Sequence, residues 1–206
     1  MSGVIDAGKL SERLEVLELR ETGPGIWAWE PARKTWGQVE LDAGQRKNLF
    51  SSVGIGARNA SLVLRRQALT LHNALRWKGQ HLFPTAIVPR GRGHLDVTAA
   101  LVEPVRCVAQ PWHNEKGAGN RAERVNDSPV TFPGVLTEKY IRYQSEDSYA
   151  KAVGTYVLVT PKVIQLREGV LVTVQEGPAA AVYNVQVRHA LDKYKNEYEI
   201  AFSRDI

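Results

Sequence analysis

Two stretches of the chain repeat one order of apolar and polar positions, and this repeat limits the fold more than any other feature. The first is Ala60 to Trp77, ASLVLRRQALTLHNALRW; the second lies 95 residues on, Thr155 to Val172, TYVLVTPKVIQLREGVLV. Without a gap, Leu62, Val63, Leu64, Leu69, Leu71, Leu75 and Trp77 fall on Val157, Leu158, Val159, Ile164, Leu166, Val170 and Val172. Identity is nearly absent, so what the copies share is a pattern of burial. Solenoid periods are about 20–50 residues, so this longer period describes a duplicated domain. A unit of roughly 100 residues buries enough surface to fold, though modestly. The division falls near Glu103, giving domains over 1–103 and 104–206.

The rest of the chain is strand and turn. Val4 to Arg20 opens with a turn at Asp6-Ala7-Gly8 and continues as a strand over Arg13 to Leu19, bulged where the alternation slips between Val16 and Leu17. Thr22-Gly23-Pro24-Gly25 breaks the pattern. Trp27, Trp29 and Trp36 follow, read as core aromatics, with a strand over Lys34 to Leu41. His81 to Val88 is a strand that Pro84 confines to an edge or a bulge. Pro89-Arg90-Gly91-Arg92-Gly93 is a basic hairpin tip, and His94 to Val102 closes the first unit. In the second, Val105 to Gln110 is a strand and Pro111 to Pro129 a long loop. Further strands cover Thr131 to Gln144, Val153 to Thr160, Val170 to Gln175, Ala181 to Val187 and Glu197 to Phe202. Short strands between turn clusters indicate a mainly β fold of two tandem small barrels or sandwiches, with few short helices.

Asp42 to Asn59, DAGQRKNLFSSVGIGARN, resists a strand assignment. It carries Gly44, Gly54 and Gly56, the cations Arg46, Lys47 and Arg58, and only Leu49, Phe50, Val53 and Ile55 for burial. Connections this long are generally functional or disordered. Charge points to the same half: residues 1–107 hold 15 Lys plus Arg against 10 Asp plus Glu, whereas 108–206 hold 12 of each. A mild excess of this kind fits a polyanionic partner or a solvated surface. Arg65-Arg66, Arg76-Trp77-Lys78 and Arg90-Gly91-Arg92 can attract phosphates without reading sequence.

Catalytic signatures do not emerge. The five histidines lack ligand spacing, and the single cysteine, Cys107, builds neither a disulfide nor a thiolate cluster. Gly54-Ile55-Gly56 is too short for a dinucleotide fingerprint, and no Gly-x-Ser-x-Gly elbow is present. The expectation is a protein without enzymatic activity, metal or cofactor. Residues 1–20 have no basic run leading into an apolar core, and no apolar stretch nears the roughly 20 residues that span a bilayer. A soluble chain made in the cytoplasm, with no membrane partner, follows.

The first half resembles the head–tail joining, or head-closure, proteins of tailed bacteriophages. The likeness lies in Ala7-Gly8-Lys9-Leu10 leading into Arg13 to Leu19, the Trp29 segment, Trp36-Gly37-Gln38-Val39-Glu40, Leu62-Val63-Leu64-Arg65, Leu75 to Gln80, and Leu95 to Val102 after a basic turn. These cover most of residues 4–103. The second half is similar to a diverged copy, like the small neck or minor-capsid barrels of the same phages, and a tandem form departs from the family's usual single domain. The resemblance implies a structural virion protein, synthesised in the host cytoplasm and resident in the neck. Copies would form a ring, a dodecamer, between the portal or its adaptor and a tail-completion or tail-terminator protein, around packaged double-stranded DNA. The family's channel loop falls here on Gly44, Gln45, Arg46, Lys47, Asn48, Leu49, Phe50, Gly54, Gly56 and Arg58, with Arg46, Lys47 and Arg58 as DNA-backbone contacts. Arg90 and Arg92 facing Glu146 and Asp147 are expected across the subunit seam. The rival readings are a free, sequence-independent nucleic-acid-binding barrel, using Trp27 or Trp112 for stacking, another neck component such as a tail-completion or minor capsid protein, and an unrecognised hydrolase.

Overall fold

The computed structural model describes residues 10–42, 50–54, 56–117, 121–139 and 155–205. The chain is mainly β. No helix occurs among the described residues, so the few short helices expected from sequence are not found there. By contacts the chain divides into two compact units: residues 1–20, 29–52 and 56–104 form the first, and 21–28, 53–55 and 105–206 the second.

The strands of the first half are β1 (Glu12–Gly23), β2 (Ile26–Leu41), β3 (Arg58–Arg65), β4 (Ala74–Trp77), β5 (Gln80–Arg90) and β6 (His94–Val102). They pair in the order β1-β4-β5-β6-β3-β2, and β2 pairs again with β1. Alternation explains the inward set: Leu62, Leu64, Leu95 and Val97 are buried, while Ser61, Arg65, His94 and Asp96 lie on the opposite face. Leu14, Val16, Leu75 and Leu82 complete this core. At the slip expected in β1, Val16 and Leu17 are both buried, and the ladder to β4 runs through Leu14–Trp77, Val16–Leu75 and Leu17–Ala74 without a shift. Pro84 resolves as a bulge: β5 lies between β4 and β6, and its ladder to β6 shifts between Pro84 and Ala86. Gly37 faces inward on β2, where a Cβ would come within 2.5 Å of Leu64 Cδ2 and 2.9 Å of the Val63 carbonyl.

The second half contains β7 (Val105–Gln110), β8 (Trp112–Lys116), β9 (Ala122–Asn126), β10 (Val130–Glu138), β11 (Thr155–Pro161), β12 (Leu171–Glu176), β13 (Ala179–His189) and β14 (Lys195–Asp205). Six of these pair as β7-β12-β13-β14-β11-β10, with β10 returning to β7. This is the circuit of the first unit, strand for strand. At the 95-residue offset even the register survives in the opening pair: Leu14 opposite Trp77 becomes Ala109 opposite Val172, and Glu15 opposite Arg76 becomes Gln110 opposite Leu171. Cys107, Phe132, Leu158, Leu166, Val172, Tyr198 and Ile200 form this unit's core. Gly134 repeats the device of Gly37, with Leu158 Cδ1 2.7 Å and Cys107 Sγ 2.9 Å from a built Cβ.

Two segments differ from the sequence reading. Residues 111–129, expected as a loop, contain the antiparallel hairpin β8–β9, a separate two-stranded sheet in register from Trp112–Asn126 to Lys116–Ala122. β2 also begins far earlier than Lys34. Its start follows the turn Pro24-Gly25, where Gly25 takes φ +69°, a conformation glycine adopts without a Cβ penalty. The Thr131 N–H donates to the Gly25 carbonyl at 2.8 Å, and Ile26 lies opposite Thr131 in parallel. A Cβ on Gly25 would sit 3.2 Å from the Pro129 carbonyl.

Candidate functional site

The connection from β2 to β3 is the segment that sequence marks for work. Gly44, Gln45, Arg46, Lys47, Asn48 and Leu49 lie outside the described residues. The base of the connection is well defined. The Asp42 N–H donates to the Asn59 carbonyl at 3.1 Å, Asn59 Nδ2 donates to Asp42 Oδ2 at 2.6 Å, and Arg58 Nε donates to the Asp42 carbonyl at 3.1 Å. Both ends of the loop are thus clasped where two neighbouring strands run out. Arg58, expected on DNA, spends its Nε on this clasp.

Phe50, expected in the channel loop, is placed inside the first unit. It is 2% exposed and packs edge-on to Phe83 with ring centroids 5.2 Å apart. Phe83 meets Trp29 edge-on at 6.3 Å, and Trp29 meets His81 at 5.6 Å. Large apolar rings gain most when buried this way, so Phe50 is a plug of the first unit's interior. Burial, with the Arg76 charge adding to it, pushes the His81 imidazole down to about 4. Gly56 is half-buried.

Residues 53–54 are grouped with the second unit and meet a row of charges there. The Val53 N–H donates to Glu197 Oε2 at 3.3 Å, and Gly54 forms an antiparallel bridge with Lys139. Glu197 is 3% exposed, with Lys195 Nζ 3.4 Å away. Glu199, two residues along β14, takes Lys139 Nζ at 2.6 Å on one oxygen and His189 Nε2 at 3.0 Å on the other. Burial raises its pKa, but these two hydrogen bonds outweigh that and hold it below the usual carboxylate range. Alternation along β14 sets Glu197 on the face opposite Tyr198 and Ile200, and it is buried there all the same. Its ion pair and the Val53 amide are what let it be buried.

Arg90 and Arg92 flank the turn between β5 and β6, where Gly91 has φ +60°. Arg90 Nη1 lies 3.3 Å from Asp96 Oδ1 of its own hairpin, while Arg92 is exposed. Glu146 and Asp147, their expected partners, lie outside the described residues. Of the other cationic groups, Arg76 pairs with Glu15 at 3.2 Å and Lys78 with Glu12 at 3.1 Å. Trp27 and Trp112, candidates for stacking, are half-buried against the second core. Trp36 is the opposite case: read as a core aromatic, it is 54% exposed. The period-two pattern with inward Thr35 and Gly37 carries that signal, and the residue type hid it.

Among the described residues, groups for chemistry are few. A pocket of about 340 Å³ in the second unit is lined by Pro111, Trp112, His113, Asp127, Gln165, Leu166, Arg167 and Val170. His113 Nδ1 lies 2.8 Å from Asp127 Oδ1, an oriented imidazole, but no Ser, Thr or Cys lines the pocket beside it. Burial pushes the Cys107 thiol up to about 12, far from thiolate reactivity. Among the described residues no group of three or more His, Cys, Asp or Glu side chains is placed to hold a metal. Neither a protein-family model, nor a curated protein, nor a solved structure matches this chain.

Proposed function

We propose that the chain is a structural virion protein, a head-closure or head–tail connector subunit built from two six-stranded barrels. The observation that carries this reading is the repeated circuit of strand pairing, which returns to its starting strand in each half. A sheet that closes on itself removes its hydrogen-bonding edges, leaving side-chain faces and loops as the contact surfaces of a subunit that assembles side by side. The residues that resemble head–tail joining proteins fall on these strands: Arg13 to Leu19 on β1, Trp36 to Glu40 on β2, Leu62 to Arg65 on β3 and Leu95 to Val102 on β6. The clasp of Asp42, Arg58 and Asn59 supports a fixed root for the loop between β2 and β3.

In this reading copies form a ring, a dodecamer, in the virion neck between the portal or its adaptor and a tail-completion or terminator protein. Heterologous contacts close such a ring when the rotation per subunit fits. The loop tips, with Arg46 and Lys47, meet packaged double-stranded DNA through nonspecific, salt-sensitive contacts. Arg92, the tip cation without an intra-hairpin partner, meets Glu146 and Asp147 of a neighbour. The function is mechanical, without catalysis or cofactor. Deleting residues 44–49, which spares the Phe50 plug and the clasp, is expected to yield filled heads that leak DNA. Unchanged DNA retention in such particles would remove the loop from this role.

A further inference from the structure

We infer that the outer face of β2-β3-β6-β5 is a binding surface for single-stranded nucleic acid, with Trp36 as its stacking platform and Arg65 with the adjoining Arg66 and Arg92 as its phosphate contacts. Arg65 lies opposite His94, and His94 lies opposite Arg90, so the three stand in one row across adjacent strands. Gly37 lies opposite Leu64, which leaves Trp36, the preceding residue, beside Arg65 at the other end of that row. All four point away from the core, since Leu64, Leu95 and Gly37 between them are buried. With strands about 4.8 Å apart, the Arg65 and Arg90 backbones stand roughly 10 Å apart.

Two arginine motifs remote in sequence meet at this end of the unit. The Arg66 N–H donates to the Gly93 carbonyl at 2.8 Å, which sets Arg65-Arg66 against the Arg90 to Arg92 turn. Arg65, Arg66 and Arg92 are exposed and form no ion pair among the described residues. Asp96, paired with Arg90, is the acid in the next row, between Val63 and Val88. Val88 is 57% exposed and extends the apolar surface. Three other cations of the unit are paired: Arg76 with Glu15, Lys78 with Glu12 and Arg33 with Glu18. Arginines without an ion pair among the described residues thus stand at the end of a face that also carries an exposed tryptophan.

An acidic protein surface would use the cations but not Trp36. Duplex DNA presents phosphates while its bases stay stacked, so it leaves the indole without a partner. A single strand uses both, one base on the indole and successive phosphates on these arginines. The surface lies on the strands, apart from the loop between β2 and β3, and belongs to the free chain, where Arg92 has no neighbouring subunit to meet.

The test is fluorescence anisotropy of the purified full chain with a labelled dT20 and a labelled duplex of equal length, between 50 and 200 mM salt, with polyglutamate as competitor. The wild type should bind dT20 more tightly than the duplex, and polyglutamate should compete weakly. Trp36→Ala should weaken dT20 binding about tenfold, within the usual range for one stacked base, and leave duplex binding unchanged. Replacing Arg65, Arg66 and Arg92 together by Ala should flatten the salt slope for dT20 by about 2, at about 0.7 per phosphate contact. Arg76→Ala, a paired arginine outside the row, should change neither. Absence of dT20 binding, insensitivity to the triple variant, equal affinity for duplex, or equal competition by polyglutamate would each overturn the proposal. Circular dichroism of each variant confirms that these exposed replacements leave the fold intact.

Discussion

Tyr198→Phe removes a single oxygen atom, and the structure fixes what that should cost. Tyr198 is fully buried in the second unit, where burial raises its hydroxyl above the ordinary tyrosine range. The Leu166 N–H donates to Tyr198 Oη at 3.0 Å, and Oη donates to the Ile164 carbonyl at 3.0 Å. Phenylalanine breaks both bonds, yet the two partners fare differently. The Ile164 carbonyl keeps a donor, Asn196 Nδ2 at 2.8 Å, whereas the buried Leu166 N–H is left without an acceptor. Losing an ordinary hydrogen bond costs about 1 kcal/mol, and orphaning a buried donor about 1–3 kcal/mol. We expect the second unit to lose about 2–3 kcal/mol, or about 1–1.5 M in urea midpoint for an m-value near 2 kcal/mol/M. Two units need not unfold together, so the assay is urea denaturation followed by backbone hydrogen exchange. Residues 162–166 should show the largest rise in exchange. A stability loss under about 0.5 kcal/mol, with unchanged exchange there, would refute the reasoning.

Two further perturbations probe the first unit. Phe50→Ala should destabilise it by about 3 kcal/mol, as expected for emptying a buried aromatic site; a loss below about 0.5 kcal/mol in a denaturation curve would show a dispensable loop residue. His81, held down to about 4 against an ordinary 6.5, contributes stability that is complete above 6.5 and lost as pH falls from 6.5 through 4. The urea midpoint should therefore drop between pH 7.5 and 4.5 in the wild type and drop less in His81→Phe; equal drops would count against a neutral buried imidazole.

What the sequence revealed followed from burial periodicity. Leu62, Leu64, Leu69, Leu75 and Trp77 and their counterparts 95 residues on are all buried, because an inward strand position tolerates little but an apolar side chain. The hairpin β8–β9 left no such trace. Apart from Trp112 and Val125 its strand residues are exposed, so nothing alternated between core and solvent. Phe50 was hidden for another reason: a lone apolar residue in a glycine-bearing segment has no period, and the distant Phe83 helps make it a core position. Glu197 and Trp36 broke the residue-type rule in opposite directions, an acid inside and a tryptophan outside. The distant Val53 amide and the nearby Lys195 account for Glu197. For Trp36, strand phase outweighed hydrophobicity.

The central claim is that two copies of one barrel act as a mechanical subunit around a passage for packaged DNA. An averaged reconstruction of the neck of virions carrying this chain tests it most directly. The account predicts a ring of subunits between portal and tail, each filled by two six-stranded bodies with the loop between β2 and β3 turned to the axis. Density for the neck that leaves no place for this chain would contradict it.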